Sequence, residues 1–209
     1  MKITGILLSI VLAAGMMTAC NDSKSQNNEP DATSVNTSSV INNIMTRCSV
    51  REFTNQPISQ DTLDLIVKAG MAAPSAVNKQ PWAFVVINDR SMLDSLNAIA
   101  DRFNLKTATA AIVVCGDMSK ALEGEAREYW VQDCSAATEN ILLAAHAYGL
   151  GAVWCGVYPN QEVLPAVTKT LGLPENIIPL NIITMGYPDD DNAKPKDKFN
   201  RDNIHYNRW

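Results

Sequence analysis

Histidine is nearly missing from this chain, with only His146 and His205 among 209 residues. A serine hydrolase needs a histidine beside its nucleophile, and no G-x-S-x-G elbow accompanies either one. His146 falls within a long helical pattern and reads as a packed side chain, and His205 lies in the tail; neither is assigned a catalytic role. Basic residues are also scarce, 17 against 22 acidic for a net charge of -5, which argues against nucleic acid as a partner. No glycine set has the dinucleotide fingerprint: Gly149, Gly151 and Gly156 have the wrong spacing and end a helix instead of opening one. Internal repeats and heptads are missing too. The cysteine spacing fits no metal site. Cys48, Cys115, Cys134 and Cys155 are expected to be buried free thiols, although their even number leaves disulfides open.

The one long apolar run, 3–17, follows Lys2 and ends in Met17-Thr18-Ala19-Cys20. It falls short of the roughly 20 residues a bilayer span needs. A charged start, a short apolar core and small residues before a cysteine resemble a bacterial lipoprotein signal, in which residues 1–19 are removed and Cys20 is lipidated. The alternative is an uncleaved anchor helix. Both put the domain outside the cytoplasm, held to the membrane at its N-terminus on the periplasmic face or at the outer membrane. Cleavage would leave 16 basic residues against 22 acidic, a net charge of -6. Residues 21–40 are Asn, Ser, Asp, Thr and Gln with almost nothing apolar, the composition of a flexible tether. The folded domain is expected over 41–209.

That domain alternates helical and extended patterns, which indicates mixed α and β structure. A helix is predicted over 59–73, with Ser59 as cap, Leu63, Ile66, Val67 and Gly70 on one face, and Pro74 as stop. Buried strands are expected over 82–87, 111–115 and 180–185, a brief extended passage over 152–157, and further helices over 91–102 and 160–171. The longest helix spans 125–148, with Trp130, Cys134, Ala137, Ile141, Ala145 and Tyr148 drawing one apolar stripe. The tail after Lys194 begins basic and ends in His205, Tyr206 and Trp209, large rings that suggest docking on another surface.

Two stretches carry chemistry. In Arg47-Cys48-Ser49-Val50-Arg51 an extended backbone would project Arg47, Ser49 and Arg51 to one side, two guanidinium forks around a hydroxyl. That set suits a phosphate group, and a solvated surface strand is the plain alternative. The loop Ala73-Pro74-Ser75-Ala76-Val77-Asn78-Lys79-Gln80-Pro81-Trp82 offers amide groups from Asn78 and Gln80 on a backbone stiffened by two prolines. It could grip a polyol and the polar rim of a flat ring, or serve as a simple connector.

Taken in order and spacing, these stretches resemble the N-terminal half of the FMN-dependent nitroreductase family. Gly149-Leu150-Gly151-Ala152-Val153-Trp154-Cys155-Gly156 after a long helix is similar to that family's second flavin segment. Gly186-Tyr187-Pro188 with Lys196-Asp197-Lys198 is similar to its closing phosphate contact. The resemblance implies an α+β nitroreductase-like fold, a central mixed, mostly antiparallel sheet flanked by helices, in a homodimer. It implies that Arg47, Ser49 and Arg51 contact the FMN phosphate and the pyrimidine edge, and that Lys196 and Lys198 close on the phosphate. Asn78 and Gln80 would hydrogen-bond the ribityl chain or ring, with Pro74 and Ser75 close by on the partner subunit. The backbone at Cys155, Gly156 and Val157 would approach the reactive face, one amide donating to flavin N5. The sequence departs from the family where Cys48 and Lys198 stand in place of arginines, and lysine lacks the bidentate fork.

Chemistry on such a protein belongs to the flavin, so no catalytic side chain is expected. The resemblance implies ping-pong transfer from NAD(P)H, or from an envelope reductant, to a small electron-poor acceptor such as a nitro compound or quinone. Residues between Arg102 and Glu128 are expected to decide acceptor choice. Dehydrogenation or dehalogenation on the same cofactor remains open, as does a non-catalytic envelope lipoprotein that binds a small ligand.

Overall fold

The computed structural model describes residues 39–189 and 193–209, so the expected signal and Cys20 lie outside the described residues. In chain order the elements are α1 (Ser39–Thr46), α2 (Gln60–Met71), β1 (Trp82–Ile87), α3 (Arg90–Asn97), β2 (Ala110–Asp117), α4 (Tyr129–Ala147), β3 (Gly151–Gly156), α5 (Leu164–Thr170) and β4 (Ile177–Gly186). The strands form one sheet in the order β1-β2-β4-β3, each neighbouring pair antiparallel. A parallel bridge from Ser49 to Ala152 makes the sheet mixed.

β2 is buried along its whole length because it lies inside the sheet with apolar layers on both faces. Alternation divides it: Ala110, Ile112 and Val114 join the layer under α2 and α4, and Ala111, Val113 and Cys115 join the layer that holds Leu93, Phe103 and Val167. The result is helices over both faces of the sheet. α2 starts where Ser59 caps it, its hydroxyl accepting from Thr62 N at 3.2 Å. α4 packs so closely on β2 that a Cβ at Gly116 would lie 2.3 Å from the Trp130 ring.

Several boundaries differ from the sequence expectation. α1 begins at Ser39, inside the stretch read as tether. The helix expected over 91–102 stops at Asn97, because Phe103 and Leu105 turn into the core and are both 0% exposed. Asn104 takes a left-handed φ of 56° there. α4 begins at Tyr129 after a tight turn over Gly124–Glu128, and Tyr148 caps its end half-exposed instead of extending the apolar stripe. α5 begins only at Leu164, since the Asn160 side chain first accepts from Glu162 N in a turn.

At the end of β2, Asp117 holds the next loop in place. Its carboxylate accepts from Ser119 N, Ser119 Oγ and Asn176 Nδ2, and pairs with Lys120 at 3.3 Å. Burial works to raise its pKa, but the Ser119, Asn176 and Lys120 contacts outweigh it and hold the group at about 2 against an ordinary 3.8. A lowered folded pKa stabilises the fold above the unfolded value, and the contribution is lost as pH falls through the folded one. Urea unfolding should therefore show stability declining from about pH 4 toward pH 2, with a shallower decline in Asp117→Asn.

Candidate active site

The Arg47–Arg51 segment is fastened along β3 and then along the chain that follows β4. Val50 N donates to Ala152 O at 3.1 Å, Thr54 N to Tyr187 O at 2.9 Å, and Asp189 N to Glu52 O at 3.0 Å. Two glycines permit this approach: a Cβ at Gly151 would lie 2.6 Å from the Val50 side chain, and one at Gly186 would lie 2.8 Å from Phe53. Held this way, Arg47, Ser49 and Arg51 line a crevice of about 400 Å³ whose other wall is Lys194, Lys196 and Lys198. Arg47 is steadied by Glu139, whose Oε1 lies 3.4 Å from its Nε. Cys48 also faces the crevice. Lys194 was missed in the sequence reading, although Lys194, Lys196 and Lys198 recur at the period of two that marks one side of an extended chain.

Pro74, Ser75, Asn78 and Gln80 do not line this crevice within one chain; they form a separate, strained loop. Val77, Asn78 and Gln80 have φ values of 45°, 50° or 56°, all left-handed. Such backbone costs on the order of 1–3 kcal/mol per residue and persists only where surroundings impose it. The imposing contacts are Gln80 N to Ser75 Oγ at 2.9 Å, Gln80 Nε2 to Asn78 Oδ1 at 2.9 Å, and Ala76 N to Asp133 Oδ1 at 2.8 Å. Asp133 projects from α4 and is only 6% exposed. An acidic residue on an otherwise apolar helix face was the signal for it.

Cys155, Gly156 and Val157 fall at the end of β3, the sheet's outer strand. Val157 N donates to Leu180 O at 2.9 Å, so by antiparallel alternation residues 155 and 157 turn their polar backbone groups toward β4. Gly156, paired with Asn181 in the register, turns its N–H and C=O off the edge. Of the three expected residues, Gly156 is thus the one whose N–H faces outward. A Cβ there would meet nothing within 4 Å, so the space beside it is open. Gly156 lies four positions beyond Ala152, which bridges Ser49, a run of ~13 Å at the rise of a strand.

The four described cysteines are free. Burial pushes the Cys115 and Cys134 thiols up to about 12. They occupy opposite faces of the sheet, which keeps them from pairing. Burial also raises Cys155, opposed by hydrogen bonds from Asn104 and Thr184 and by the positive fields of Arg102 and Arg51.

The sequence profile of the nitroreductase family matches residues 44–104 and 100–187. A protein of Archaeoglobus fulgidus, provisionally named NADH dehydrogenase/NAD(P)H nitroreductase, is 47% identical over 169 residues, 79% of this chain and 96% of that one. The chain belongs to the nitroreductase family. A crystal structure from Bacteroides thetaiotaomicron, given the same provisional name, is 43% identical and covers 82% of this chain and 99% of its own, with a TM-score of 0.76. A family structure from Desulfovibrio desulfuricans, solved in complex with FMN, is 29% identical and covers 81% of this chain and 96% of its own, with a TM-score of 0.68. Family membership makes the protein an oxidoreductase.

Asp133 can be tested as the support of the strained loop. Asp133→Ala leaves the half-buried Ala76 N–H without its acceptor and should destabilise the domain by about 1 kcal/mol, whereas Asp133→Asn keeps an oxygen in place and should cost less. Denaturant midpoints check the order, and faster amide exchange at Ala76 in the alanine variant checks the location.

Proposed function

We propose that this nitroreductase-family protein uses FMN to pass electrons from NAD(P)H, or from a reductant of the cell envelope, to small electron-poor acceptors such as nitro compounds or quinones. The observation that carries the reading is the crevice between Arg47, Ser49 and Arg51 and the three tail lysines. Five cations gather there, with a single hydroxyl, in a chain whose net charge is -5. A dianionic phosphate supplies what such a set lacks. The donors present therefore fit the phosphate end of FMN, and the relative solved with FMN and the NAD(P)H-named relative agree with that choice.

When bound, FMN supplies reversible hydride exchange, and the protein's part is binding and orientation. Arg47 and Arg51 offer forked donors, Ser49 a neutral one, and Lys194, Lys196 and Lys198 mobile positive charge from the tail. The outward Gly156 N–H, ~13 Å along β3 from the Ser49 bridge, would in this reading donate to the ring. In this reading Pro74, Ser75, Asn78 and Gln80 serve the site of a second copy, because they stand apart from the crevice of their own chain. Apolar side chains left exposed at both ends of the described domain favour a homodimer. α1 exposes Val40, Ile44 and Met45, and the tail exposes Phe199, Tyr206 and Trp209. Residues 1–19 act as an export signal and Cys20 as the lipidated anchor in the same proposal.

Arg51→Ala should weaken FMN binding by about 10- to 100-fold, and Lys196→Ala by less, since a lost charged hydrogen bond is worth roughly 1.5–3 kcal/mol. Flavin fluorescence titration of apoprotein measures both. A wild-type protein that stays colourless in excess FMN would refute the flavin reading and favour a non-catalytic binder. For the anchor, radiolabelled palmitate should enter the wild-type protein and not Cys20→Ala; label in both would remove the lipoprotein assignment.

A further inference from the structure

Arg102 has a place in the structure that neither the phosphate crevice nor the strained loop accounts for. It sits in the turn Asp101–Phe103, just after the chain leaves α3. Its Nη1 donates to the Gly156 carbonyl at 2.9 Å, and its guanidinium carbon lies 5.1 Å from the centre of the Phe103 ring. No carboxylate comes within ion-pair range of it among the described residues. One N–H of the five is thus committed, and the rest of the fork remains for another acceptor.

The edge geometry locates that charge. Gly156 turns both its N–H and its C=O off β3, so a guanidinium bound to the carbonyl stands beside the outward N–H. The space over Gly156 is open. Arg102 and Arg51 both act on the Cys155 thiol, so positive charge approaches this strand end from the turn as well as from the phosphate segment. The cations of the crevice face a phosphate once one is bound. Arg102 is outside that crevice and keeps its charge.

We propose that Arg102 is a specificity-determining residue, which selects flat acceptors carrying a carboxylate or another anionic group next to the Gly156 edge. The proposal rests on the flavin reading, because the flat ligand is taken to stack where the flavin ring meets that edge. A guanidinium fork matches a carboxylate in two parallel hydrogen bonds, and exclusion of water by a stacked ring strengthens both. The neutral isostere of such a ligand carries no charge to pair with the guanidinium and would gain less.

Benzoate and benzamide are suitable probes, since neither needs to be reduced and they differ in charge at nearly equal shape. The full chain, purified in detergent with FMN bound, is titrated with each while the flavin absorbance is followed. Benzoate should bind wild type more tightly than benzamide does, and the difference should shrink as salt rises. Arg102→Gln should weaken benzoate about tenfold or more and leave benzamide within about twofold, while Arg102→Lys retains part of the preference. If Arg102→Gln binds benzoate like wild type, or loses both probes equally, Arg102 only braces the Gly156 edge and the assignment is overturned. Flavin content separates the two levels. Protein that takes up no FMN overturns the flavin reading and this proposal together, whereas equal flavin in all variants with no charge preference overturns this proposal alone.

Discussion

Crowding of like charge is the constraint on which the site depends. Two unit charges 4 Å apart repel by about 1 kcal/mol in bulk water and by several times that where protein excludes it. A fold that brings Arg47, Arg51, Lys194, Lys196 and Lys198 to one crevice tolerates that repulsion, which Glu139 relieves at Arg47 and a bound anion would relieve further. The backbone is committed to the arrangement: the Arg47–Arg51 segment is zipped to β3 through Val50 and to the chain after β4 through Thr54 and Asp189. Glycine at 151 and 186 is what lets these segments come so close. The positive cluster is thus an outcome of sheet edge, bridge and small residues acting together.

Much of this was legible beforehand, for reasons that differ from element to element. α2 declared itself through Ser59 and the spacing of Leu63, Ile66 and Val67, which depend only on local periodicity. β1 is where the run of β-forming residues placed it. The Arg47-x-Ser49-x-Arg51 alternation could be read because a strand's period is two, and the tail lysines obey the same period, Lys194 included. What stayed hidden depends on tertiary context. The early end of α3 follows from the burial of Phe103 and Leu105, which no cap residue signals. The support of the loop by Asp133 crosses 57 positions of sequence, and Arg102 reaches 54 positions to Gly156. Which N–H of Cys155, Gly156 and Val157 faces outward could only come from the ladder, because a one-residue change of register reverses the answer.

The strained loop and the sheet edge show two ways of fixing the direction of a polar group. In the loop, Asn78 and Gln80 are held in left-handed backbone by side-chain contacts with one another and with Ser75, so their amides are set before any ligand arrives. At the edge, Gly156 needs no such support, since its direction is dictated by neighbours already paired with β4. The first device stores strain, and the second uses the ordinary geometry of a strand at the edge of its ladder.

The separation of Cys115 from Cys134 by the sheet bears on how the protein can be handled. With both thiols sealed in apolar layers and pushed up to about 12, they hold almost no thiolate at neutral pH and resist alkylating reagents and air oxidation. Cys155 is buried as well, while Cys48 is only half-buried and opens onto the cationic crevice. Among the described residues a maleimide dye would find Cys48 first, which puts the label at the mouth of the cationic crevice.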